Sequence, residues 1–271
     1  MTDMLKIQKE EANIGFAKYI QQNYLDWVAP RQPARTDRFQ LRGRKEEKPG
    51  ASRPTMSPDL FKQFVFPSID RGEKVFLIVI DNFRFDQWRV LSSEVADLFD
   101  IDEQVPTATQ YARNAIFSGL MPQQIAEMFP ELWVDEDEEE GKNLNEKPLI
   151  QTQIDRYRRH DKFSYHKIND SADSDKYLSQ FNNLYQNDFN VLVINFIDIL
   201  SHARTEMKMI RELANNESAY RSITRSWFRH SVLTDLLRLL SQSDYKVIIT
   251  TDHGSIRTTK PVKIVGDRNT N

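Results

Sequence analysis

Cysteine is absent from the 271 residues, which excludes a disulfide framework, a thiolate metal site and a cysteine nucleophile. Glycine is scarce, and the eight present form neither a dinucleotide fingerprint nor a phosphate-cradling loop. Long apolar runs are missing too. The longest, Val75 to Ile80, falls far short of the ~20 residues that span a bilayer. The amino end runs straight into charged residues, without a signal-peptide pattern. A net charge of −3 gives no global attraction to nucleic acid or membrane. What remains is 39% hydrophobic and 28% charged residues, enough apolar surface for a globular core and a cytoplasmic location. The length suits one large domain, or one domain with a smaller appendage.

Three segments are expected. Residues 1–28 read as a helical segment, with Ile14, Phe16, Tyr19, Ile20, Leu25 and Trp27 near helical spacing over Leu5–Val28. It suits a packing or homodimer helix. Residues 29–58 hold five prolines and a cluster of Arg31, Arg35, Arg38, Arg42, Arg44, Lys45, Lys48 and Arg53. This composition fits a solvated linker, with a phosphate-contacting arm as the sharper alternative. Residues 59–271 read as an α/β domain with a mostly parallel central sheet flanked by helices. Three apolar, β-branched runs, Val75–Ile80, Val191–Ile197 and Val247–Thr251, have the continuous pattern of strands covered on both faces. Helices are expected over Ala115–Phe129, Gln151–Arg159 and Ser218–Gln242, and the seven acids between Glu131 and Glu140 read as a solvated loop.

Each apolar run leads into an acid: Asp81, Asp198 and Asp252. Ligands of an open parallel sheet bind outside the carboxyl ends of its strands. Three carboxylates gathered there repel one another unless a cation lies between them, and a divalent metal is the usual answer. Two of the acids bring a histidine. His253 follows Asp252 directly, and His202 stands about one helical turn beyond Asp198. The other histidines, His160, His166 and His230, read as surface or core residues. Thr107 and Thr109 precede an expected helix start at Ala115. Either fits an N-cap, and either hydroxyl, brought to a metal, would be a nucleophile.

In order and spacing, Asp81, Thr109 ten residues before Gly119, Asp198-x-x-x-His202 and Thr251-Asp252-His253-Gly254 resemble the alkaline phosphatase superfamily. Ile80-Asp-Asn-Phe-Arg-Phe-Asp86 followed by Tyr111-Ala-Arg113 resembles its PglZ-type domains, and more narrowly the effector part of PorX-like response regulators, a family tied to type IX secretion. The resemblance implies Thr109 as the nucleophile rather than Thr107. It also implies one metal held by Asp81, Thr109, Asp252 and His253, and a second held by Asp198 and His202. Two zinc ions are expected in the complete domain, with manganese as the alternative. The family gives the second metal one more histidine from farther along the chain. No histidine follows His253 here, so the ligand set of the second metal is expected to be incomplete or the chain to be a fragment. Arg84 and Arg113 are candidates to grip phosphate oxygens, against a packing role for each. The function implied is a phosphodiesterase acting on short or cyclic oligonucleotides, downstream of a receiver domain and a histidine kinase. The alternative is a non-catalytic output module with a structural zinc.

Overall fold

A computed structural model describes residues 2–28, 54–101, 112–133, 145–169 and 171–255. Residues 29–53 of the segment expected as a basic linker, most of the acidic run, and Thr107, Thr109 and Tyr111 lie outside the described residues. The chain divides into two compact units, Met1–Pro54 and Thr55–Asn271. In the first, α1 (Thr2–Val28) is one unbroken helix. Ile14, Phe16, Tyr19 and Leu25 are exposed while Trp27 is buried, and the apolar side chains do not gather on one stripe.

The second unit is built on four strands. Its elements are α2 (Phe66–Asp70), β1 (Lys74–Ile80), α3 (Phe85–Val95), α4 (Ala112–Ser118), α5 (Pro122–Met128), α6 (Glu146–Arg156), β2 (Phe163–Ile168) and α7 (Ser171–Ser179). They continue with α8 (Phe181–Leu184), β3 (Phe189–Ile194), α9 (Phe196–Glu206), α10 (Lys208–Leu213), α11 (Glu217–Arg229), α12 (Val232–Ser241) and β4 (Tyr245–Thr250). The strand order is β2-β3-β1-β4, and every pairing is parallel. All four carboxyl ends therefore emerge at one edge. Alternation along β1 and β3 makes two cores. Phe76, Ile78, Ile80, Leu192 and Ile194 pack with side chains of α3, α7, α8, α11 and α12. Val75, Leu77, Val79, Val191 and Val193 pack with those of α2, α4, α5 and α6. The result is the expected α/β fold, a parallel sheet between two helical layers. Among the described residues, no helix is long and apolar enough to cross a membrane.

Several boundaries differ from those expected, each for a local reason. The run Val191–Ile197 contains the end of a strand and the start of a helix: β3 stops at Ile194, and Asp198 lies in the first turn of α9. The segment Ala115–Phe129 is two helices, parted at Gly119 (φ +64°) and restarted at Pro122. A left-handed glycine ends a helix, and proline suits the first turn of the next. Ser218–Gln242 likewise breaks, because Ser231 is extended and its hydroxyl donates to Phe228 O at 2.8 Å. Helix α6 starts five residues before the expected Gln151, at Glu146. β2 lies outside the three runs expected as strands.

Candidate metal centre

The geometry starts from register. Val79 of β1 lies opposite Thr250 of β4, so Asp81 and Asp252, each two residues further on, leave the sheet side by side. Asp81 N still donates to Ile194 O of β3 at 2.9 Å, which extends the ladder by one bond and fixes the direction of the carboxylate. The chain then reverses through Asn82, whose φ of +57° is tolerated by asparagine better than by most side chains. Asn82 ties the other acids together. Its N–H donates to Asp252 Oδ1 at 3.3 Å, and its side-chain amide donates to Asp198 Oδ1 at 3.1 Å. Asp198 reaches this point because the first turn of α9 follows β3 at the same sheet edge.

His253 lies over these acids. Its Nδ1 is 3.1 Å from Asp252 Oδ1 and 3.4 Å from Asp81 Oδ1, while its Nε2 is 3.8 Å from Asp198 Oδ1. One donor atom from each of Asp81, Asp198 and His253 lies within 4.8 Å of the others. The expected strand-end constellation is thus brought together. His202 stands to one side: its Nε2 is 3.5 Å from Asp198 Oδ2, one turn along α9, and its side chain is largely exposed.

Behind the acids lies a cation, Arg113 of α4, which is only 5% exposed. Its Nε and Nη2 both approach Asp252 Oδ2, at 2.8 and 2.6 Å. Nη2 also pairs with Asp81 Oδ2, and Nη1 with Glu146 Oε1 at 3.3 Å. Arg84, at the start of α3, is engaged differently. It pairs with Asp86 at 2.9 Å and with Glu217, lies over the Tyr220 ring, and packs beside Gly254.

The electrostatics follow from this crowding. Burial and the neighbouring Asp252 push Asp81 up to about 6, against the pull of Arg113. Burial alone would raise Asp252 as well, but its hydrogen bond with His253 and the charge of Arg113 hold it well below the usual carboxylate range. His253 is raised by its hydrogen bond to Asp252 and by the surrounding carboxylates, despite burial. Asp81 Oδ1 is buried and accepts no hydrogen bond. An orphaned carboxylate oxygen beside a second carboxylate and an imidazole fits a divalent cation, and the mixed O and N donors suit zinc or manganese.

Two participants escaped the motif reading. Asn82 carried a faint signal, since asparagine directly after a strand-end acid is a common left-handed turn residue. Glu146 carried none, because an acid in the first turn of a helix ordinarily reads as a partner of the helix dipole.

Comparison with known families agrees with this architecture. The BREX system PglZ alkaline phosphatase-like domain matches residues 60–271, which include every residue of the crevice. The PorX response regulator linker domain matches residues 1–28. No curated protein matches the chain. With most of its length covered by the first of these matches, the chain belongs to the PglZ alkaline phosphatase-like family.

Proposed function

We propose that this member of the PglZ family is a metal-dependent phosphoester hydrolase that uses Thr109 as its nucleophile. The observation that carries the reading is the convergence of Asp81, Asp198 and His253, backed by Asp252, at the carboxyl ends of parallel strands. Asp81, Asp252, His253 and Thr109 would hold one metal, and Asp198 with His202 a second. Zinc, when bound, supplies Lewis-acid polarisation of the phosphoryl oxygens and offsets the negative charge of the site.

The protein's own groups have distinct tasks. The Thr109 oxygen bonds to phosphorus in line with the departing ester oxygen, and water later releases the phosphoryl group from the threonine. Asn82 keeps Asp198 and Asp252 in fixed relation during both steps. His253, held by Asp252, must present an unprotonated ring nitrogen to act as a ligand, so cation binding there depends on pH. Arg84 packs beside Gly254, the neighbour of His253, and would have to release both Asp86 and Glu217 to meet a substrate phosphate.

A diester is the better substrate class. It carries one negative charge fewer than a monoester, and the crevice is lined by acids with Arg113 turned to their rear. Short or cyclic oligonucleotides fit this chemistry. The linker match at residues 1–28 supports a place in a cytoplasmic response regulator, with a receiver domain and a histidine kinase upstream. It equally suits a second reading, an output module in which zinc is structural.

Hydrolysis of a chromogenic phosphodiester by the zinc-loaded chain separates the two. Turnover that disappears in Thr109→Ala supports the enzyme. Tight binding of two zinc ions with no turnover on mono- or diesters supports the output module, whereas one bound zinc without turnover reflects a second metal held by Asp198 and His202 alone.

A further inference from the structure

Arg113 is the most deeply buried cation near the crevice, and its surroundings are arranged on both sides. Toward the crevice, its fork meets Oδ2 of Asp81 and Oδ2 of Asp252. The other oxygen of each acid, Oδ1, is the one that faces His253, at 3.4 and 3.1 Å. Away from the crevice, Nη1 meets Glu146, which is 1% exposed. Glu146 is itself held from β2, where the Tyr165 hydroxyl donates to its Oε2 and Lys167 Nζ approaches the same oxygen at 3.6 Å. A continuous polar line therefore runs from β2 through α6 and α4 to the tips of β1 and β4.

We propose that Arg113 is a positioning residue that sets which oxygen each aspartate offers to the metal, with Glu146 as its anchor. The inference rests on the reading of the crevice as a metal centre. An unconstrained carboxylate can chelate a cation through both oxygens or rotate between them. With Oδ2 of Asp81 and Oδ2 of Asp252 engaged by one planar guanidinium, the Oδ1 atoms are the ones left facing His253: that of Asp81 accepts no hydrogen bond, and that of Asp252 also accepts the backbone N–H groups of Asn82 and His253. Groups that hydrogen-bond metal ligands orient them in this way, and their loss typically weakens metal binding about 10–100-fold.

The residue types fit the task. A guanidinium has a rigid fork and stays protonated, whereas a lysine ammonium is a mobile point charge. Burial alone would lower the Arg113 guanidinium, but the charges of Asp252 and Asp81 outweigh it and raise it, so the cation is permanent. Glu146 is needed because a guanidinium facing only the two aspartates would be free to slide forward between them, where the metal belongs. Burial, followed by the charge of Glu146 and the hydrogen bond to it, raises the Tyr165 hydroxyl, which keeps that hydroxyl a donor.

The role differs from a grip on substrate. A phosphate-binding arginine presents free N–H groups to the cleft, while three of the nitrogens of Arg113 already meet carboxylates. It differs also from mere packing, which would leave metal affinity untouched when the fold is preserved.

The test is the zinc dissociation constant of the 271-residue chain, measured by competition with a chromogenic chelator, alongside far-ultraviolet circular dichroism and a melt of the metal-free protein. Arg113→Lys keeps the charge and removes the fork. Glu146→Gln keeps the volume and removes the anchoring charge. Both variants are expected to fold and to bind zinc about 10–100-fold more weakly. Unchanged zinc affinity in folded variants, even with a lowered melting temperature, would reduce Arg113 to a structural ion pair. Tighter binding would overturn the proposal in the other direction, by showing that Arg113 competes with the metal. If Arg113→Lys does not fold, Glu146→Gln decides by the same criteria. A wild-type chain that binds no zinc would instead remove the metal-centre reading and this proposal with it.

Discussion

The side-chain amide of Asn82 donates to Asp198 Oδ1 at 3.1 Å, and this bond joins the tip of β1 to the first turn of α9. The backbone N–H of the same residue donates to Asp252, so one turn residue sets the spacing of two acids from distant parts of the chain. Asn82→Gly keeps the left-handed backbone and removes only the side-chain bond. It should weaken zinc binding about tenfold with little change in the melt of the metal-free protein. Asn82→Ala adds strain at φ +57°, about 1 kcal/mol, and should lower both. Zinc titration and thermal unfolding of the two variants check the separation.

Gly119 ends α4 with φ +64°, and a Cβ there would lie 2.3 Å from Gln153 Nε2. Gln153 is completely buried, and its amide has no partner, so it has little room to yield. Gly119→Ala combines left-handed strain with that clash and should cost about 1–3 kcal/mol. Denaturant unfolding measures it, and a loss below half a kilocalorie would show that Gln153 moves aside freely.

How visible these features were in the sequence depended on where each residue lies in the sheet. β1 is central and covered on both faces, so Val75–Ile80 reads as an unbroken apolar run and Asp81 stands out at its end. β2 is an edge strand in the described sheet, and Phe163-Ser-Tyr-His-Lys-Ile alternates too weakly to stand out. Asp198 stands out in the sequence, but its setting is a helix and not a strand end. Phe196 and Ile197 prolong the apolar run past Ile194 while already turning as helix, because Ile197 and Leu200 bury one face of α9. Glu146 was beyond reach. Its role exists only through Arg113 and Tyr165, partners from α4 and β2 that no local pattern connects.

Glu217, the partner of Arg84, offers a pH-dependent check that leaves the acids of the metal crevice untouched. Burial would raise its carboxyl, but hydrogen bonds from Arg84 and Arg204 prevail and lower it below the usual glutamate value of 4.5. A depressed folded-state value means the ionised group stabilises the fold at neutral pH. That contribution is complete above 4.5 and fades as the pH falls through the lowered value. Glu217→Gln should therefore cost about 1 kcal/mol at pH 7, a figure limited by the partial exposure of the pair. The gap between variant and wild type should close in acid. Melting curves at a series of pH values from 7 downward decide it, and a gap that does not shrink as the pH falls below 4.5 would assign the cost to packing.

Thr109→Ala tests the nucleophile. Thr109 stands ten residues before Gly119, the interval implied by the family resemblance. Loss of the hydroxyl should abolish phosphodiester turnover while leaving the melt within a few degrees, since a single hydroxyl hydrogen bond contributes only about 1 kcal/mol. Full activity in Thr109→Ala would point to Thr107 or to water as the attacking group.

The last prediction concerns the charge of the crevice itself. Asp81 is pushed up to about 6 because it is buried beside Asp252 and Asp198 with only Arg113 to offset them. Without a cation the folded state carries that repulsion, and zinc should relieve it. At a zinc concentration 100 times the dissociation constant, linkage alone gives about 2.7 kcal/mol of added stability. The wild-type chain should therefore melt several degrees higher with zinc, and a chelator should reverse the shift. Asp81→Asn removes the repulsion and the orphaned Oδ1 ligand together, while an amide oxygen still faces Arg113. Its metal-free melt should stay within a few degrees of wild type, because lost pairing and relieved repulsion oppose each other. Its response to zinc should shrink sharply. An Asp81→Asn protein that gains as much from zinc as wild type would place the cation elsewhere and separate the acid cluster from metal binding.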